Sequence, residues 1–199
     1  MTKIKICGIR RPADIEYLNE LKPEYAGFVF AKSKRRLDVD QAFSLIKNLR
    51  SDIKKVGVFV DEDPLVVLEI AEKLKLQVLQ FHGHENQKYL NKFVAFEIWK
   101  ALKISSIESI YEFRNYKCTK ILLDNTIAGS GECFKWELVQ AKVEGFSIML
   151  AGGLTNENVQ RGIKKLKPYG VDVSSGVETH GYKDYEKIKE FIRKVRELS

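Results

Sequence analysis

Three polar residues end apolar runs in this chain. Cys7 closes Lys3-Ile4-Lys5-Ile6, His82 closes Val78-Leu79-Gln80-Phe81, and Asp124 closes Lys120-Ile121-Leu122-Leu123. A thiol and a carboxyl facing each other across one site suit proton shuttling on a sugar-like substrate, one removing a proton and the other delivering one. A carboxyl that donates at neutral pH must hold its proton above the usual value of about 3.9, through burial or a charged neighbour. The plainer alternatives are a loop carboxylate at Asp124 and a small core residue at Cys7, since free cysteines are among the most buried residue types. Arg35, inside Lys32-Ser33-Lys34-Arg35-Arg36, can grip a carboxylate with its planar fork, whereas Arg36 and the lysines read as surface residues. Gly152-Gly153 and Ser174-Ser175-Gly176 can offer bare backbone N–H groups to an anion. His82 is ambiguous, and His84 and His180 read as solvated loop residues.

Positioning such groups requires a scaffold that gathers strand ends. Apolar strands are expected at Lys3–Ile9, Tyr25–Phe30, Val56–Val60, Val78–His82, Phe96–Leu102, Lys120–Asp124, Phe146–Ala151 and Val171–Ser174. Helical periodicity follows each one: from Pro12 through Leu21, Asp38 to Leu49, Pro64 to Leu74, Glu85 to Phe93, Ser106 to Tyr116, Trp136 to Val143, Asn156 to Leu166, and Tyr185 to Leu198. The segment Asn125 to Cys133, with Gly129-Ser130-Gly131, reads as a mobile loop. Strict strand–helix alternation implies a parallel sheet covered by helices. Eight units predict an α/β chain closed into a (β/α)8 TIM barrel, one domain over residues 1–199, with an open doubly wound sheet as the alternative. No GxGxxG or GxxxxGK[ST] follows any strand, so the nucleotide signatures of that alternative are missing. In a barrel the strand C-termini share one face, where active sites are built. That face should collect Cys7, the Lys32–Arg36 cluster, Asp61, His82, Lys100, Asp124 and the two glycine turns. The turns follow strands seven and eight, the usual phosphate position.

At 199 residues, with 44% hydrophobic and 11% aromatic content, the chain can build a sizeable core. It has no apolar run long enough for a membrane helix and no signal-peptide pattern, so a cytoplasmic protein is expected. Three cysteines (Cys7, Cys118, Cys133) without a CxxC pair predict free thiols and no structural zinc. The net charge of +7 comes from scattered lysines and arginines. It suits steering of an anionic small molecule better than nucleic-acid binding, which favours a basic stripe with interleaved aromatics.

The strand ends resemble those of the phosphoribosylanthranilate isomerase family. The resemblance is carried by Lys5-Ile6-Cys7-Gly8-Ile9, Gly27-Phe28-Val29-Phe30 with Ser33-Lys34-Arg35, Val56-Gly57-Val58-Phe59, Gln80-Phe81-His82-Gly83 and Leu122-Leu123-Asp124. It continues through Gly129-Ser130-Gly131 with Phe134 and Trp136, Ala151-Gly152-Gly153-Leu154, and Val171-Asp172-Val173-Ser174-Ser175-Gly176-Val177-Glu178. The resemblance implies a cofactor-free Amadori rearrangement in tryptophan biosynthesis, from N-(5-phosphoribosyl)anthranilate to 1-(2-carboxyphenylamino)-1-deoxyribulose 5-phosphate. It implies Asp124 as the acid that opens the ribose ring and Cys7, as thiolate, as the base at the sugar C2. It assigns Arg35 to the anthranilate carboxylate and Gly152, Gly153, Ser174, Ser175 and Gly176 to the phosphate, with His82 and Asp172 completing the pocket. The sequence departs from the family pattern in a loop after strand two that is one residue shorter and lacks a proline. It also has Lys135 where Asp is common and Ala128 where a further glycine is frequent.

Competing readings are another phosphosugar barrel, an epimerase or an indole-glycerol-phosphate synthase-like enzyme, for which Lys100 is the strand-end lysine, and a non-catalytic phospholigand-binding barrel. Expected partners are a small phosphosugar and neither nucleic acid nor membrane, and the sequence is compatible with a monomer or a homodimer. Lys5 points the same way as Cys7 along its strand and is the candidate cation for the thiolate.

Overall fold

The computed structural model describes residues 1–104, 114–125 and 147–198. Eight strands form a closed, all-parallel barrel in sequence order, the last pairing with the first. They are β1 (Lys3–Cys7), β2 (Tyr25–Val29), β3 (Lys54–Phe59), β4 (Val78–Phe81), β5 (Glu97–Ile104), β6 (Lys120–Asn125), β7 (Ile148–Leu150) and β8 (Gly170–Val173). The open-sheet alternative is excluded by that closure. The outer layer holds α1 (Pro12–Leu21), α2 (Val39–Ile46), α3 (Pro64–Leu74), the short α4 (Gln87–Leu90) with a 3-10 turn at Asn91–Phe93, α5 (Val159–Leu166) and α6 (Tyr185–Arg196). The expected helices over Ser106–Tyr116 and Trp136–Val143 lie wholly or largely outside the described residues. So do the loop with Gly129-Ser130-Gly131, Ala128, Cys133, Phe134 and Lys135. None of the described helices is long and apolar enough to cross a membrane.

Helix starts follow local chemistry. Pro12 and Pro64 occupy first-turn positions, where a missing N–H costs nothing. Asp38, Asp63 and Asp184 accept hydrogen bonds from the first-turn N–H groups of α2, α3 and α6, satisfying donors that the helix itself leaves unpaired.

Strand alternation divides the core into two layers. Ile4, Ile6, Phe28, Phe59, Leu79, Phe81, Leu123 and Val171 face outward and pack under the helices. Tyr25, Val56, Val78, Trp99, Ala101, Leu122, Met149 and Ala151 face inward and fill the barrel. Above them, toward the strand C-termini, Cys7, Val29 and Val58 form a small apolar collar. Polar side chains are interleaved with this interior: Lys5 on β1, Gln80 on β4 and Asp172 on β8 are buried.

One element is absent from the sequence expectation. Between β8 and α6 the chain makes a 3-10 turn at Ser175–Val177 and an antiparallel hairpin, β9 (Glu178–Thr179) and β10 (Tyr182–Lys183). His180 and Gly181, both with φ positive, make its two-residue turn, as tight hairpins require.

Candidate active site

The strand C-termini enclose a cavity of about 370 Å³ lined by Cys7, Arg35, His82, Asp124, Asp172 and Ser174, together with the Gly152-Gly153 turn. That volume suits a small organic ligand. Cys7 reaches it because β1 ends there: Gly8 takes φ +82°, a conformation open mainly to glycine. A Cβ on Gly8 would lie 2.3 Å from Arg35 Cδ, so the bare backbone also lets Arg35 cross the end of β1. Gly27, opposite Cys7 on β2, is equally constrained, because a Cβ there would lie 2.8 Å from the Cys7 sulfur and 3.1 Å from Lys5 Cε.

Below Cys7, Lys5 is fully buried and its Nζ donates to Asp172 Oδ2 at 3.0 Å. Burial works against the Lys5 ammonium, but Asp172 and Cys7 outweigh it and hold its proton above the ordinary lysine range. Lys5 is therefore a fixed cation beside the thiol. Burial pushes the Cys7 thiol up; Lys5, by charge and hydrogen bond, and Lys183 pull it down, while Asp172 adds to the rise. The net direction is upward, so the thiol of the open site is held neutral. Among the described residues Asp172 Oδ1 is buried without a hydrogen-bond partner.

Across the mouth, His82 Nε2 lies 2.9 Å from Asp124 Oδ2, and His82 Nδ1 lies 3.3 Å from Gln80 Nε2. Asp124 and His82 each keep about a quarter of their side-chain surface exposed.

Arg35 lines the cavity while Arg36 does not. The Arg35 Nε and one terminal nitrogen each donate to Glu178 at 2.7 Å, a fork on the side edge of the guanidinium. Glu178 also accepts from Lys183 Nζ at 2.7 Å. Burial raises the Glu178 carboxyl, but Arg35 and Lys183 together outweigh it and hold it below the ordinary carboxylate range. The hydrogen bonds from Arg35 to Glu178 keep the guanidinium charged. Burial lowers Lys183 in spite of Glu178 and Cys7. The hairpin is fastened in turn by Arg10, which stacks 4.5 Å above the Tyr182 ring, donates to Lys34 O at 3.1 Å, and donates to Gly181 O.

Gly152 and Gly153 both have positive φ, and a Cβ on Gly153 would meet open space. Ser174 donates its hydroxyl to Cys7 O at 3.1 Å. Gly176 sits beneath the first turn: a Cβ would lie 1.9 Å from Leu154 O. The two glycine turns are thus packed directly on each other.

Two of the expected strand-end residues do not enter the mouth. Lys100 points outward, where its Nζ donates to Gly83 O at 2.6 Å and to Glu85 Oε2 at 2.9 Å, with both side chains 1% exposed. Trp99 and Ala101, its strand neighbours, take the inward positions. Asp61 accepts from the His84 backbone at 2.6 Å and lies 3.0 Å from His84 Nδ1, while Val60 lines the cavity instead. A lysine-dependent phosphosugar chemistry at Lys100 is therefore set aside. Sequence reasoning missed Glu178 and Lys183 as members of the site. Their sequence signal was a buried-type glutamate after Ser175-Gly176-Val177 and a His180-Gly181 turn.

Comparison with known proteins agrees with this geometry. A family model described as N-(5'phosphoribosyl)anthranilate (PRA) isomerase matches residues 4–194. The N-(5'-phosphoribosyl)anthranilate isomerase of Thermoanaerobacter pseudethanolicus is 50% identical over 200 residues, covering 98% of each chain. Among solved structures, phosphoribosyl anthranilate isomerase from Thermotoga maritima superposes with a TM-score of 0.92 at 35% identity, covering both chains completely. A phosphoribosyl anthranilate isomerase in complex with reduced 1-(o-carboxyphenylamino)-1-deoxyribulose 5-phosphate superposes at 0.89 with 34% identity over the whole of both chains. With barrel order, strand-end residues and full-length matches in agreement, this chain belongs to the N-(5'-phosphoribosyl)anthranilate isomerase family.

Proposed function

We propose that the barrel mouth converts N-(5-phosphoribosyl)anthranilate to 1-(2-carboxyphenylamino)-1-deoxyribulose 5-phosphate, the Amadori step of tryptophan biosynthesis, with Asp124 as acid and Cys7 as base. The observation that carries the reading is one cavity lined together by a thiol, a carboxyl, an arginine and two glycine turns. Asp124 gives a proton to the ribose ring oxygen; the bond from that oxygen to C1 breaks, and a Schiff base forms between C1 and the anthranilate nitrogen. Cys7, as thiolate, takes the proton from C2, the electron pair of that bond forms C1=C2, and the iminium is neutralised to an enolamine. Loss of the enol hydroxyl proton and gain of one at C1 yield the ketone. The protons gained and lost balance over the cycle, and no electrons leave the substrate.

Arg35 binds the anthranilate carboxylate with the end-on edge of its guanidinium, because Glu178 occupies the side edge. The backbone of Gly152, Gly153, Ser174 and Ser175 receives the phosphate, and Gly176 permits the close approach of the two turns. Lys5 is the cation that stabilises the thiolate once it forms. Asp172 Oδ1, a buried acceptor in the same cavity with no partner among the described residues, takes a hydrogen bond from a sugar hydroxyl.

The roles are tested by Cys7→Ala and Asp124→Asn. Each should fold, judged by circular dichroism, and lose about 10²- to 10⁴-fold in kcat, the usual worth of one acid or base group. Full turnover in either variant would sink the assignment of that residue.

A further inference from the structure

The mouth contains a polar side chain with no part in the scheme above. Gln80 is 1% exposed, its Nε2 faces His82 Nδ1, and its Oε1 is buried without a partner among the described residues. With its NH2 turned to the ring Gln80 donates, so in this arrangement Nδ1 accepts and carries no proton. The single proton of a neutral imidazole then sits on Nε2 and is donated to Asp124 Oδ2 across 2.9 Å.

A further proton arriving at this histidine–carboxylate pair has two destinations, the imidazole or the carboxylate. An imidazole ordinarily wins, with reference values of about 6.5 against about 3.9. In this amide orientation that outcome would set an Nδ1–H against the Gln80 NH2, donor against donor, a clash relieved only by turning the amide. The remaining place is Asp124 Oδ1, the oxygen not engaged by His82.

We propose that Gln80 is a positioning residue: by presenting its NH2 to His82 Nδ1, it keeps the imidazole neutral and directs the catalytic proton onto Asp124. The proposal rests on the reading of Asp124 as the acid. The proton on Asp124 Oδ1 passes to the ring oxygen, and His82 keeps its Nε2–H throughout as a donor to the carboxylate left behind. Solvent returns a proton to Oδ1, and the imidazole never changes charge.

Other charged groups act on the pair at longer range. Cys7, Lys32, Arg35 and Asp172 share the cavity. Lys103 stands in register with Asp124 on the neighbouring strand, and Asp61 and His84 beyond β4 pair with each other. Among the described residues Gln80 is the hydrogen-bond partner of Nδ1.

The test is nitrogen-15 NMR of the His82 ring in the ligand-free protein between pH 5 and 8, where an unperturbed imidazole titrates, alongside kcat. In the unaltered protein His82 should be a neutral Nε2–H tautomer at pH 7. Gln80→Glu replaces the donor with an acceptor, so His82 should become doubly protonated and kcat should fall about 100-fold or more, as expected for loss of an acid. Gln80→Leu, which carries the test should the glutamate variant not fold, frees Nδ1, so His82 should titrate within the window and kcat should fall less. A doubly protonated His82 in the unaltered protein overturns the proposal, and so does a His82 that stays neutral with undiminished kcat in both variants. Undiminished turnover in Asp124→Asn would instead remove the acid assignment, while the tautomer, read without substrate, still reports on Gln80.

Discussion

Replacing Lys5 by Met removes the fixed cation beneath the proposed base while keeping much of its volume. Two unit charges about 4 Å apart interact by about 4 kcal/mol at an effective dielectric constant of about 20. The Asp172 carboxylate, 3.0 Å from the same ammonium, offsets part of that at the thiolate. About 2 kcal/mol is a fair lower figure when both charges are removed, as in Lys5→Met with Asp172→Asn. At about 1.4 kcal/mol per factor of ten this cuts the thiolate present at a given pH by about 30-fold. In the single variant Asp172 stays behind as a buried, unpaired carboxylate. Removing one partner of such a pair costs about 3–5 kcal/mol of stability, most of which the double variant should recover. The assay is the rate of iodoacetamide alkylation of Cys7 against pH, with Cys118 and Cys133 replaced by Ser. Because burial favours the neutral thiol, the parent rate should rise with pH, with a midpoint above the free-thiol value of about 8.5. The double variant should have a later midpoint still. Superimposable profiles for parent and double variant would refute the assignment of Lys5 as the stabilising cation.

Further outcomes follow from the same geometry. Glu178→Gln should loosen the Arg35 fork and raise KM about tenfold, the worth of a charge-assisted hydrogen bond; an unchanged KM would contradict the positioning of Arg35. The same substitution should flatten the acid side of stability. Glu178 is held below its ordinary value in the folded chain, so its contribution is present above the unfolded value of about 4.3 and is lost as pH falls through the folded one. Melting temperatures between pH 6 and 3 should therefore fall less steeply in the variant. Gly176→Ala forces a Cβ to within 1.9 Å of Leu154 O, so the two glycine turns must part, and competition by inorganic phosphate should weaken markedly. Lys100→Met should destabilise by about 3–5 kcal/mol through the stranded Glu85 yet leave kcat of the folded protein unchanged; loss of turnover without loss of stability would restore a catalytic lysine.

The barrel was legible because each strand is a short apolar run ended by a polar or glycine residue, and because eight such runs alternate with helical stretches. Cys7 and Asp124 were legible for the same reason: each is the last residue of its run before the chain turns. Lys100 was misplaced because β5 is apolar on both faces. Trp99 and Ala101 on one side and Ile98 and Leu102 on the other are all buried, so alternation alone does not fix which side the lysine takes. Asp61 follows β3 with φ +47°, a backbone turn that no side-chain pattern announces. The hairpin carrying Glu178 and Lys183 has strands of two residues each, too short for periodicity. Gln80 was hidden in plain view as an inward-facing amide, since its partner His82 lies beyond the end of β4 and meets Asp124 only when the barrel closes.

The central claim is that this chain isomerises a phosphoribosyl anthranilate with its own side chains. The direct measurement is the fluorescence of N-(5-phosphoribosyl)anthranilate after addition of protein that has been treated with a chelator and supplied with no cofactor. The account predicts a loss of signal at a rate proportional to protein concentration, abolished in Cys7→Ala. A fluorescence trace that stays at the uncatalysed rate, or one equally fast without Cys7, would contradict it.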